Sequence, residues 1–92
     1  MLNIFATGKF KKDYKLAGKR GLNISLLTEV IEKLQRQEPL EAKYKDHALT
    51  PSKDYINCRE CHIQPDWLLV YRIDNNELML ELLRTGSHSD LF

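Results

Sequence analysis

Three histidines, His47, His62 and His88, stand beside groups that give them chemistry to do. His62 is followed by Pro65, Asp66 and Trp67, and His88 lies four residues before Phe92. Imidazoles titrate near neutral pH, so a pair of them can take a proton from one oxygen and give one to another. Cleavage of RNA by its own 2′-hydroxyl needs those two transfers, plus a cation to neutralise charge on the phosphorane. Arg84 and Arg59 are candidates for the cation. Trp67 and Phe92 offer rings for base stacking, and Trp67 serves equally as core. Such chemistry requires no metal and no other cofactor. A single histidine is more often a satisfied surface or core residue, so the reading rests on several of them converging.

Convergence is a matter of strand order. Tyr55 to Ile63 is rich in strand formers, and Trp67 to Ile73 is a long apolar run, with a turn near Gln64-Pro65 between them. Pro65 cannot donate a ladder hydrogen bond and pushes Gln64 into an extended conformation, which suits a turn. A three-residue loop sets His62 opposite Asp66, and a two-residue loop sets it opposite Trp67. Asp74-Asn75-Asn76-Glu77 signals the next hairpin, Leu78 to Leu83 the last strand, and Gly86 its end. The strand ending at His62 runs up, the next runs down and the last runs up again. The tail carrying His88 therefore emerges beside His62, Asp66 and Trp67. Connectivity alone does not place His47.

Upstream, residues 2–6 read as a short strand. Thr7 caps a first helix over about Gly8 to Lys19, with Phe10, Tyr14 and Ala17 on one face and Gly18 and Gly21 at its end. Asn23 or Ser25 caps a second helix that ends near Gln37. Leu26, Leu27, Val30, Ile31 and Leu34 make its apolar stripe, and Glu38-Pro39 stops it. Residues 40–54 are polar and irregular, with at most a short extended piece near Tyr44. The expected class is α+β, an N-terminal strand and a two-helix hairpin packed on a mostly antiparallel sheet. At 92 residues this is one domain, residues 1–92.

Cys58-Arg59-Glu60-Cys61-His62 matches the haem-attachment spacing. Residues three apart on a strand point to opposite faces, so the two sulfurs diverge and neither haem attachment nor a shared zinc site suits them. They read as small strand residues. The N-terminus lacks the basic start and apolar stretch of a secretory signal, and no run approaches membrane-span length. A cytoplasmic protein with reduced cysteines is expected.

The net charge of +1 hides a segregation. Residues 9–20 hold Lys9, Lys11, Lys12, Lys15, Lys19 and Arg20 against Asp13, whereas residues 74–92 hold four acids against Arg84. The basic stretch is either a solvated face or the footprint of a polyanion.

Three separated runs carry a resemblance. Tyr44-Lys45-Asp46-His47, then Arg59-Glu60-Cys61-His62 with Pro65-Asp66-Trp67, Leu69 and Tyr71, and finally Arg84-Thr85-Gly86-Ser87-His88 with Leu91-Phe92 together resemble the YafQ branch of the RelE/ParE toxin superfamily. The resemblance implies the RelE-like fold and a toxin of a bacterial type II toxin–antitoxin pair. It implies a metal-independent endoribonuclease that enters the ribosomal A site and cuts mRNA there. By matching position it assigns functional roles to His47, His62, Asp66, Trp67, His88 and Phe92. The histidines and Asp66 handle protons and hold the phosphate, and the aromatics position substrate. It further implies a DinJ/RelB-like antitoxin as partner, and it sets the basic face of residues 9–20 against ribosomal RNA. A non-enzymatic, ParE-like inhibitor of gyrase is the other reading of the same fold, one that has no need of clustered titratable groups.

Overall fold

The computed structural model describes residues 1–53 and 55–92; Asp54, within the stretch read as irregular, lies outside them. Strand β1 (Asn3–Ala6) leads through Thr7 into helix α1 (Gly8–Lys19), and helix α2 (Ile24–Gln35) follows. A short 3-10 turn (Ala42–Tyr44) and a two-residue strand β2 (His47–Ala48) precede the meander β3 (Arg59–Gln64), β4 (Trp67–Asp74) and β5 (Met79–Gly86). A last turn of helix, α3 (His88–Leu91), closes the chain. The five strands form one sheet in the order β1-β5-β4-β3-β2, with β1 parallel to β5 and every other pair antiparallel. This is the expected α+β class.

The Thr7 side chain accepts from the Phe10 amide at 3.0 Å, so the predicted cap starts α1 where expected. Its end is a Schellman motif around Gly21 (φ 77°), with the Gly21 amide on the Gly18 carbonyl and the Leu22 amide on the Ala17 carbonyl. Helix α2 ends the same way, two residues before the predicted limit. There Gln37 takes the left-handed position (φ 56°), and its amide and that of Glu38 bond the carbonyls of Leu34 and Lys33. The helix thus stops before Pro39 can act.

Both helices lie on one face of the sheet. Phe10, Ala17, Leu27, Val30 and Leu34 pack there against Cys61, Leu69, Tyr71, Leu80 and Leu82. A second, smaller cluster forms on the other face from Cys58, Leu68, Val70 and Leu91, flanked by Leu49, Tyr55 and Leu83. Central strand β4 therefore buries both of its sides, which explains an unbroken apolar run where a one-sided strand would alternate. Cys58, just before β3, and Cys61, within it, fall in opposite clusters, 1% and 0% exposed. Burial raises both thiols, that of Cys61 to about 12.

Four expectations need correcting. Strand β3 begins at Arg59, because Asn57 (φ 57°) turns the chain and Tyr55 packs as a side chain in the smaller cluster. Around Tyr44 the chain is a 3-10 turn rather than extended. The β4–β5 hairpin places Leu78 (φ 53°), and neither asparagine, in the left-handed region, while Asp74 Oδ1 accepts the amides of Asn76 and Glu77. Pro65 and Asp66 do form a two-residue loop, but a bulge between His62 and Gln64 sets His62 opposite Leu68, neither Asp66 nor Trp67.

Candidate active site

Strand β2 does for His47 what connectivity could not. His47 pairs with Glu60 across the β2–β3 ladder, and Glu60 and His62 are two apart on β3, so all three share the face away from the helices. The imidazole centroids of His47 and His62 are 6.5 Å apart. Beyond the Pro65-Asp66 loop, β5 delivers Ser87, which caps α3 reciprocally with Asp90. That cap holds His88 at the first helical position, with ring centroids 6.0 Å from His62 and 6.2 Å from Phe92. Phe92 in turn meets the Tyr55 ring at 5.8 Å. Five rings, from His47 through His62, His88 and Phe92 to Tyr55, line one edge of the molecule.

The polar contacts give these rings direction. His47 Nδ1 lies 2.8 Å from the Lys45 carbonyl and His62 Nδ1 lies 3.1 Å from the Pro65 carbonyl, so in both rings Nδ1 is the hydrogen-bond donor. Their Nε2 atoms face Glu60 Oε1 at 3.9 and 3.6 Å. With Nδ1 committed to a backbone carbonyl, Nε2 is the nitrogen in each ring that faces a side-chain carboxyl group. His88 Nδ1 stands 3.8 Å from Asp66 Oδ1, which also accepts the His88 amide at 3.4 Å.

Glu60 was not among the expected site residues. Its side chain is 5% exposed, against 52% for His47 and 16% for His62. A buried carboxylate costs free energy unless it is partnered, and its neighbours here are the two imidazoles. The signal was available in the sequence, since Glu60 and His62 are separated by one residue on a strand. Tyr55 was missed because it lies in a turn that was read as strand.

Three expected substrate contacts need revision. Trp67 is 2% exposed within the helix-side core, and its indole donates to Thr85 Oγ1 at 2.9 Å, so no base can stack on it. Arg59 alternates with Glu60 and projects toward the helix side, where its guanidinium donates to both oxygens of Asp46 at 3.3 Å. The Tyr71 hydroxyl joins that group by donating to Asp46, and burial followed by that bond raises it well above its ordinary value. Arg84 donates to Asp13 of α1 through Nε at 2.6 Å and Nη2 at 3.1 Å, so its charge is already matched. Phe92, by contrast, is more than half exposed beside His88. Lys9, Lys11, Lys12, Lys15, Lys19 and Arg20 are all exposed, and Arg20 pairs with Asp90 at 2.7 Å.

The family model for the YafQ toxin, a bacterial toxin of type II toxin–antitoxin systems, matches residues 2–92. The chain belongs to the YafQ family. Among curated family members, the mRNA interferase toxin YafQ of Escherichia coli (strain B / BL21-DE3) is 42% identical over 88 residues, 94% of this chain and 90% of that protein. A metal-bound toxin from Helicobacter pylori superposes over the whole of both chains with a TM-score of 0.92 and 47% identity. YafQ in the E. coli DinJ–YafQ complex does so with a TM-score of 0.88 and 38% identity, over all of this chain and 99% of that one. The YafQ-family fold, two helices on one face of a mostly antiparallel sheet, is therefore common to all of them. No helix among the described residues is long and apolar enough to cross a membrane.

Proposed function

We propose that this YafQ-family toxin, an endoribonuclease of the mRNA interferase class, cuts mRNA in the A site of the translating ribosome by metal-independent acid–base catalysis. The observation that carries the reading is the convergence of His62, His88 and Asp66, two groups from the β3–β4 hairpin and one from the tail, at one end of the sheet. One imidazole takes the proton of the 2′-hydroxyl as that oxygen bonds to phosphorus. A second protonates the departing 5′-oxygen as its bond to phosphorus breaks, leaving a 2′,3′-cyclic phosphate. His47 and His62 face Glu60, which balances the charge of whichever ring is protonated. Asp66 does the same for His88. Phe92, exposed beside His88, is placed to stack on a base. Arg84 contributes a cation only when a phosphate displaces the Asp13 carboxylate from its fork.

The exposed lysines of α1 supply the footprint for ribosomal RNA, with binding that weakens steeply in salt. DinJ, found with YafQ in the E. coli complex, is the model for a cognate antitoxin that covers this site or the basic face. Mapping of transcript 5′ ends after induction, with and without translation, tests the reading. Cuts within codons that appear only during translation, and that persist under a chelator selective for transition metals, are expected. Transcripts left intact on translating polysomes would defeat it.

A further inference from the structure

Two hollows meet at Gln64 and Pro65, and their charge differs. The larger, about 670 Å³ between α1, the β3–β4 loop and α3, has Asp13, Asp66 and Asp90 in its walls, and both of its arginines are already paired with acids. As it stands, that lining offers a phosphate no unmatched cation. The smaller, about 460 Å³, lies between α2, the 3-10 turn and the end of β3. Leu26, Tyr44, Ile63 and Pro65 give it an apolar floor, Lys43 and Lys45 stand in its wall, and no carboxylate lines it. His62 forms one end. Lys45 adopts the left-handed backbone (φ 48°), and its carbonyl holds His47 Nδ1 at 2.8 Å, so the same turn shapes the hollow and orients a site imidazole.

We infer that the smaller hollow receives the nucleobase of a nucleotide flanking the cleaved bond, an inference that rests on the nuclease reading above. An apolar slot with cationic walls suits a flat heterocycle carried on a phosphate backbone. Gln64, exposed at the boundary of the hollow, carries two donors and an acceptor on one side chain and reads the base edge. Lys43 and Lys45 hold the adjoining phosphates without regard to sequence.

The test is 5′-end mapping in a reconstituted translation system with the wild type, Gln64→Ala, and Lys43→Ala combined with Lys45→Ala, each checked for folding by circular dichroism. Gln64→Ala is expected to keep cutting while its preference for the base beside the cut falls roughly tenfold, the usual scale of losing one good base contact. The double lysine variant is expected to cut less at all sites alike, with its preference intact. Unchanged preference in Gln64→Ala, at wild-type rates, overturns the inference while leaving the nuclease reading standing. Variants that cut as wild type yet escape the antitoxin reassign the hollow to that protein and overturn it as well. A wild type that cuts nothing removes the nuclease reading itself.

Discussion

Arg20, at the end of the basic helix, and Asp90, in the last helical turn, are bonded at 2.7 Å although they lie 70 residues apart in the chain. Asp90 also accepts the Ser87 amide and so completes the cap that holds His88. One carboxylate thus fastens the tail to α1 and orders the histidine at the site. The Arg20 bond, then the Ser87 amide, holds its carboxyl far below the usual carboxylate range. Because the folded value is depressed, this contribution is complete above the ordinary value of 3.8 and fades only as acid protonates Asp90 below it. Asp90→Asn should loosen α3 at neutral pH, seen as faster amide exchange at Leu91 and Phe92 and slower mRNA cleavage with the core intact. Unchanged exchange there would refute the clasp.

His88 is largely exposed, so His88→Ala removes a group proposed to transfer a proton and little packing. Cleavage is expected to fall by about 10²- to 10⁴-fold, the usual contribution of a positioned proton donor or acceptor, with the melting temperature nearly unchanged. Wild-type growth arrest by a folded His88→Ala protein would rule out its role in proton transfer.

Glu60 should act through its histidines. Glu60→Gln keeps size and burial but removes the charge between His47 and His62, and Glu60→Asp restores the charge on a shorter arm. Slower cleavage and altered imidazole nitrogen shifts are expected for the first, with partial recovery of both for the second. Identical imidazole spectra in wild type and Glu60→Gln would show that the carboxylate does not touch the rings electrically.

Trp67 separates packing from recognition. Trp67→Phe gives up the indole bond to Thr85 and should cost about 1 kcal/mol, whereas Trp67→Ala should cost about 3–5 kcal/mol through the cavity it leaves. Chemical denaturation measures both. A Trp67→Phe protein with full stability and lost activity would return the ring to the substrate.

The cysteines supply an alkaline test. Burial holds the Cys61 thiol neutral up to about 12, whereas in the unfolded chain it ionises around 9.0. A raised folded value means stability that is whole below the unfolded value and declines as pH climbs from there toward about 12. Alkylating reagents should label Cys61 only at the rate of global unfolding, and labelling that outpaces unfolding would contradict the burial.

Much of this was legible in the chain itself. Thr7, Asn23 and the stripe Leu27, Val30 and Leu34 act locally, and the helices they define appear where those residues put them. Strand order alone brought His88 to His62 and Asp66. What could not be read depends on two-body geometry. The bulge after His62 changes the register by one residue, and the two-residue strand that carries His47 is too short to leave a pattern. The fates of Arg84, Arg59 and Trp67 were decided by Asp13, Asp46 and Thr85, partners that no periodicity announces. Beside Gly21, the left-handed positions fell to Gln37, Lys45, Asn57 and Leu78, and of these four only asparagine is a residue type that takes that region readily.

The parallel pairing of β1 with β5 carries a consequence for how the molecule comes into being. The first strand made has its only neighbour in Met79–Gly86, the last strand to be translated. While those residues are still threaded through the exit tunnel, α1 lacks both Arg84 and Asp90, and the histidine row is unassembled. The first strand must therefore wait, without a ladder partner, for a segment more than seventy residues further along the chain before the sheet can close over both helices.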